Sequence, residues 1–241
     1  MGEKIRYIAN EIKYGTFATY GLIALNLAVF MFVSIISNIF SGVTKTDLAQ
    51  IFGGSAAYLV INNLEWWRLV TSTFLHVDWW HILLNMVALY SMGRFVENYY
   101  SSRKVFSVYI LTGIAGSALA MFDQNAITLG ASGAIFGFMG LIVGNLLKAN
   151  TYSPGLPVQL NSILTPALFW LVLSFGIGGI SFLGHLGGFL AGIILGLVID
   201  TANNFEFNTL KNRIFNVLFI ICLAIALLSF ISLFASIFLN N

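Results

Sequence analysis

Four side chains in this sequence have the types and spacing to do chemistry together: Ser132, His81, Asn85 and His185. Ser132 stands in Gly130-Ala131-Ser132-Gly133-Ala134-Ile135-Phe136-Gly137, a lone hydroxyl among residues almost without side chains, at the head of an apolar run. A peptide can come close to such a serine, and the backbone N–H groups of a helix's first turn have no internal acceptor. That suits a nucleophile, and it equally suits ordinary close packing of helices. His81 and Asn85 are four residues apart and project from one helix face. Imidazole and amide N–H groups both donate, which suits them to a developing oxyanion. A serine nucleophile also needs a base, and the residues alone leave open whether His81 or His185 supplies it.

Other chemistries find less support. After His81 come Ile82-Leu83-Leu84-Asn85, with no glutamate and no second histidine four residues on, so the HExxH pattern of a zinc peptidase is absent. Cys222 is the only cysteine, which excludes a thiolate metal site and an intramolecular disulfide. His76, His81, His185 and Asp78 have no recognised metal-ligand spacing. The aspartates lie in loops or at span ends, so no intramembrane aspartyl pair can be drawn. No metal, cofactor or nucleic acid is expected. His76, five residues before His81, falls off the His81–Asn85 face and is expected to be hydrated outside the helix.

These residues sit in a chain built for a bilayer. Hydrophobic residues make up 59% and charged residues 8% of the 241, with a mean hydropathy of +0.90, whereas a soluble domain has about 25% charged residues. The expected fold class is all-α, a polytopic membrane bundle. Seven spans can be drawn, at Phe17–Phe40, His81–Tyr99, Val105–Phe122, Ala131–Leu147, Thr165–Phe182, His185–Ile199 and Ile214–Leu239. The first is too long for a signal-peptide core and is read as a retained span. The fourth and sixth are short and glycine-rich, which places them inside the bundle. Residues 41–80, with Trp66-Trp67 and Trp79-Trp80, are expected to be an irregular loop lying on or partly in one leaflet.

Nine of the eleven Lys and Arg residues fall on one side of these spans, with only Lys45 and Arg68 on the other. The positive-inside rule then places the N-terminus in the cytoplasm and the C-terminus outside. On that topology the second, fourth and sixth spans run parallel. Their outer ends begin with His81, Ser132 and His185, at one depth. The sixth span repeats glycine every four residues, at Gly184, Gly188, Gly192 and Gly196, and the fourth carries Gly133, Gly137, Gly140 and Gly144. Four-residue spacing keeps glycines on one face and lets backbones approach closely. If the two faces meet, Ser132 reaches His185. Gly130 and Gly133 are expected to open space for a substrate while Gly137 continues the seam.

The motifs HxxxxHxxxN (His76, His81, Asn85), GxSG (Gly130, Ser132, Gly133) and GHxxG (Gly184, His185, Gly188) resemble the signature of the rhomboid intramembrane serine proteases. Trp67-Arg68 and Glu97 also fit that pattern, and the resemblance covers roughly residues 60–200. It implies a six-helix core over 17–201, a short cytoplasmic tail at 1–16, and an additional helix in 202–241. It also implies Ser132 as nucleophile and His185 as base, with His81, Asn85 and the Ser132 N–H as oxyanion hole and no acid partner. Asp78 is then expected to matter little for rate. Phe136 stands where some members have tyrosine; its ring can pack on His185 but cannot hydrogen-bond. The implied partners are transmembrane protein substrates, cut near the outer leaflet of the cell membrane, and membrane lipid. Phe175–Ser181, rich in glycine, is a candidate mobile element for substrate entry. Arg68 is expected to anchor its loop to headgroups or carbonyls, and Glu97 to cap loop N–H groups. A non-catalytic adaptor or chaperone of the same fold is the competing reading.

Overall fold

The structure is a computed structural model that describes residues 16–39, 44–124, 126–148, 156, 158–176, 179–199 and 210–238. In chain order its helices are α1 (Phe17–Ile39), α2 (Lys45–Ile51), α3 (Ala57–Ile61), α4 (Arg68–Thr71), α5 (Trp79–Tyr99), α6 (Ser102–Ala120), α7 (Ser132–Lys148), α8 (Leu160–Gly176), α9 (Phe182–Val198) and α10 (Leu210–Phe238). A single 3-10 turn, Ser72–Phe74, follows α4. Two short strands, β1 (Ser55–Ala56) and β2 (Ile127–Thr128), pair antiparallel with Ser55 opposite Thr128 and Ala56 opposite Ile127. The chain is thus a helical membrane bundle. The all-α expectation holds, and the helices appear in the order the apolar runs demanded.

Polar residues at helix starts fix where the long helices begin. Asp78 is the N-cap of α5, its carboxylate accepting the His81 N–H at 2.7 Å. Ser181 caps α9 by accepting the Gly184 N–H at 3.0 Å. Each cap satisfies a donor that a helix cannot satisfy for itself. Glu97, near the far end of α5, is buried and takes three hydrogen bonds from the start of α1. These come from the Ala18 N–H at 2.8 Å, the Thr19 N–H at 2.9 Å and the Thr19 hydroxyl at 2.6 Å. The carboxylate therefore caps a helix rather than a loop, and its charge sits at the favourable end of the α1 dipole.

Three expectations need correction. The fifth span was drawn at Thr165–Phe182, whereas α8 runs from Leu160 to Gly176. The run of mostly apolar and glycine residues continues through Phe182. Gly179 has φ +83° and Ser181 caps the next helix, so Phe182 belongs to α9. The sixth span was placed inside the bundle. In α9 only the glycine face, with His185 and Phe189, is buried, while Leu190, Ile194, Leu197 and Val198 are exposed to the lipid side. Residues 41–80 are less irregular than expected, because α2, α3, α4 and β1 all lie within them.

That connection is held by buried polar contacts. The Arg68 guanidinium donates through Nη1 to the carbonyls of Gln50 at 2.6 Å and Gly54 at 3.1 Å, and through Nε to the Glu65 carboxylate. Its partners are these carbonyls and the Glu65 carboxylate, and it is itself buried. Thr71 donates its hydroxyl to the Gly53 carbonyl at 2.9 Å. These bonds hold the 44–78 segment together, and the β1–β2 pair ties it to the residues just before Ser132. The tryptophans Trp66, Trp79 and Trp80 remain exposed, as interfacial tryptophans are.

Candidate active site

The glycines of α7 and α9 face each other. A Cβ on Gly188 would overlap the Gly133 carbonyl, one on Gly192 the Gly137 carbonyl, and one on Gly140 the Phe189 carbonyl. Farther along, Gly144 meets Ile193 and Gly196 meets Leu141 in the same way. Backbones in such direct contact leave the helices little freedom to slide. At one end of the seam, the first residue of α7 meets the first turn of α9. His185 Nε2 lies 2.8 Å from Ser132 Oγ.

Phe136, one turn along α7 from Ser132, stacks on the His185 ring with centroids 4.3 Å apart and planes 20° from parallel. His185 is buried, and its Nδ1 has no hydrogen-bond partner among the described residues. A flat aromatic ring packs on this imidazole, and among the described residues no carboxylate hydrogen-bonds to it. Asp78, the nearest acidic residue in sequence to His81, is occupied as the α5 cap.

His81 approaches from the third side. A Cβ on Gly130 would come within 2.6 Å of His81 Nε2, and Gly130 has φ +105°. Both facts call for glycine there: the backbone is left-handed and the ring occupies the side-chain space. The Gly130 N–H donates to the Ser72 carbonyl at 2.8 Å, which fixes the turn leading into Ser132. Asn85 is buried and donates one amide N–H to the His81 carbonyl at 3.0 Å. An amide has two such donors, so a second remains. Three groups from α5, α7 and α9 thus converge on one end of the bundle.

Two residues differ from their expected surroundings. Gly133 was expected to open space for substrate, but its carbonyl is the surface on which Gly188 rests and Gly184 lies over its Cα, so it belongs to the seam. His76 was expected to be hydrated, and it is fully buried with 0% exposure. Its Nε2 faces the Ala131 N–H at 3.4 Å, and its ring meets that of His81 edge-on at 4.9 Å. Burial first, and then the His81 ring beside it, push its pKa down to about 3, so it is neutral at physiological pH. Its position outside α5 suggested solvent. Only the chain fold, which brings residues 72–76 under the Gly130–Ser132 turn, reveals otherwise. Part of the candidate entry segment, Ile177 and Gly178, lies outside the described residues.

A family profile described as Rhomboid domain matches residues 63–202, more than half the chain and all three site motifs. The chain belongs to the rhomboid family. It is 32% identical over 176 residues to the Rhomboid protease GluP of Bacillus subtilis (strain 168), covering 71% of this chain and 32% of that protein. It is 30% identical over 190 residues to the mitochondrial RHOMBOID-like protein 6 of Arabidopsis thaliana, covering 77% of this chain and 60% of the relative. The chain therefore spans between about a third and three-fifths of these two curated relatives. It is also 29% identical over 169 residues to the Inactive RHOMBOID-like protein 8 of the same plant, covering 68% of this chain and 46% of that protein. Membership makes this a membrane protein of a family of intramembrane proteases. Because the family also has a member named inactive, activity must be argued from this rhomboid's own residues.

Proposed function

We propose that this rhomboid is an intramembrane serine endopeptidase using Ser132 as nucleophile and His185 as general base. The observation that carries the reading is the 2.8 Å contact between Ser132 Oγ and His185 Nε2 at the end of a backbone-to-backbone seam. Nucleophile and base within hydrogen-bond reach are the first geometric requirement of acyl transfer.

In the proposed mechanism Ser132 Oγ attacks the scissile carbonyl carbon while His185 Nε2 takes its proton. The carbonyl oxygen becomes an oxyanion, stabilised by the Ser132 N–H, the free amide N–H of Asn85 and the His81 imidazole N–H. His185 then protonates the leaving amine, and the C–N bond breaks to give an acyl-enzyme on Ser132. Water attacks that ester with His185 again as base, which releases the new carboxylate and restores the serine. Phe136 takes over the orienting task that a carboxylate performs in a three-residue triad. Gly130 supports the site by letting His81 close over the turn, and Gly133 and Gly188 support it through the seam.

The substrates we propose are transmembrane proteins, cut near the outer leaflet and entering from the lipid. The side of the bundle carrying Ser132, with the α10 C-terminus, faces away from the cytoplasm, and the α1 N-terminus faces the cytoplasm of a cell membrane. Residues 17–201 serve as the catalytic core, and 202–241 contribute an added helix.

A fluorophosphonate probe in detergent tests the reading. Wild type is expected to be labelled, with label abolished in Ser132→Ala and reduced at least about a hundredfold in His185→Ala. Unlabelled but folded wild type would favour a non-catalytic rhomboid that binds helices without cutting them; one plant relative carries the name inactive. Equal labelling of Ser132→Ala would remove the named nucleophile.

A further inference from the structure

Residues 72–76 run directly behind the turn that presents Ser132, and the structure engages them along their whole length. The Ser72 carbonyl accepts the Gly130 N–H at 2.8 Å, and the Ser72 hydroxyl meets that of Ser117 at 3.0 Å. The Thr73 carbonyl accepts the Tyr109 hydroxyl at 2.9 Å. The Phe74 ring sits between Tyr109, at 5.3 Å, and Phe230 of α10, at 5.5 Å. This strap is anchored to α6, to α10 and to the turn itself.

His76 closes the strap. Its Nε2 faces the Ala131 N–H, and Ala131, like His76, has 0% exposure, so that donor has no water to turn to. The N–H groups of the two residues immediately before Ser132 are therefore both directed at the strap, one to Ser72 and one to His76. The edge-on contact with His81 adds a second engagement, with a ring that closes over Gly130. One buried imidazole touches both the turn carrying the nucleophile and the histidine beside it. For Nε2 to accept, the ring must be neutral with its proton on Nδ1. At 3.4 Å the contact is long, as hydrogen bonds in resting sites often are before a substrate tightens them.

We propose that His76 is a positioning residue for the acyl-transfer step, setting the pitch of the Gly130–Ser132 turn and the face of His81 together. The inference rests on the serine-peptidase reading above. Oxyanion donors act only when held close to the position that the oxygen will occupy. His76 touches no substrate. It acts through the Ser132 N–H, whose direction follows the preceding peptide, and through His81.

Three variants separate this role from space filling. His76→Phe keeps a ring but removes the acceptor. His76→Gln can place an amide oxygen near the Nε2 position, and His76→Asn places one near Nδ1 instead. The measurement is fluorophosphonate labelling of purified full-length protein in detergent, resolved into a maximal rate and a half-saturating probe concentration, with thermal unfolding alongside. In His76→Phe the maximal rate per folded molecule is expected to fall at least about tenfold with half-saturation unchanged, since sub-ångström misplacement of a reacting group costs rate rather than binding. His76→Gln should recover to within about threefold of wild type, and His76→Asn should not. Wild-type rates in His76→Phe, or Gln no faster than Phe, overturn the proposal. So does a loss that only tracks the folded fraction. If His76→Phe does not fold, the Gln and Asn pair decides alone. Wild type that fails to label at all overturns the peptidase reading and this inference with it. Labelled wild type with an indifferent His76 overturns this inference only.

Discussion

The pairing of α7 with α9 and the attachment of α8 show two ways in which this rhomboid holds a helix. Along α7 and α9, five glycines rest directly on the opposite backbone, and the proposed dyad of Ser132 and His185 sits at one end of that contact. Helix α8 buries only Ala167, Leu171 and Ser174 and turns Phe169, Trp170, Val172 and Phe175 outward. The proposed dyad lies only on the tightly seated pair. A dyad must be held to a fraction of an ångström, and rigid elements supply that better than adaptable side chains. Helix α8 instead meets the bundle through side chains, Ala167 and Leu171 buried and Leu160, Ile163 and Leu164 partly so, with no backbone-to-backbone seam of the α7–α9 kind among the described residues.

The largest test of this comparison is a Cβ in the seam. In Gly188→Val the new side chain has nowhere to go, because the Gly133 carbonyl already occupies its place. The helices must separate, and overpacking of this kind costs about 1–3 kcal/mol or more. Fluorophosphonate labelling should drop at least about a hundredfold, since a 1 Å misplacement of reacting groups reaches that scale. The thermal midpoint should fall as well. Normal labelling of Gly188→Val would show that the seam does not position the dyad.

A smaller effect is expected one turn from the nucleophile. Phe136 stacks on His185 at 4.3 Å, and such pairs contribute about 0.5–1.5 kcal/mol beyond their burial. Phe136→Ala should therefore slow labelling per folded molecule by about 2- to 10-fold, in addition to destabilising the core. Phe136→Tyr retains the stacked face and should stay within about twofold. If Ala and Tyr behaved alike, the ring would not be orienting the imidazole.

Much of the tight half was legible in the sequence. Four-residue glycine spacing places the small residues on one face whatever the tertiary context. Ser132 and His185 each stand at the same end of their run, so a glycine-to-glycine contact brings them together. The looser features were harder to read. The start of α9 at Phe182 depends on the Ser181 cap, preceded by a left-handed Gly179, which hydropathy does not register. The four-residue glycine spacing of α9 marks one face and carries no signal about the exposed Leu190, Ile194, Leu197 and Val198. The burial of His76 and the partners of Glu97 and Arg68 depend on long-range contacts. Residue type signals that a buried charge needs partners, but it cannot say that Glu97 finds them 78 residues away on Thr19.

On the loosely held side, Leu171→Ala probes whether α8 is independent of the chemistry. Leu171 is one of three buried side chains on that helix and lies in a cluster with Phe136 and Phe189. Truncating a buried leucine costs about 2–5 kcal/mol in a rigid core, and the low end is expected where the site can collapse. Labelling per folded molecule should stay within about threefold of wild type, because neither reacting group lies on α8. A loss on the scale of Gly188→Val would mean that α8 holds the dyad as firmly as α9 does.

The smallest effect separates one glycine from another. Among the described residues, a Cβ on Gly176, the last residue of α8, would meet nothing within 4 Å, and its φ is not in the left-handed range. Alanine there removes backbone freedom from the unfolded chain without creating a clash, so Gly176→Ala should leave labelling unchanged. It should shift stability by no more than about 0.4–1 kcal/mol, upward. An added Cβ is thus expected to be destructive at Gly188 and harmless at Gly176. The residue type is identical, so the difference lies entirely in what stands opposite: a carbonyl of α7 in one case and open space in the other. A clear stability loss in Gly176→Ala would mean that α8 is seated more tightly than its three buried residues indicate.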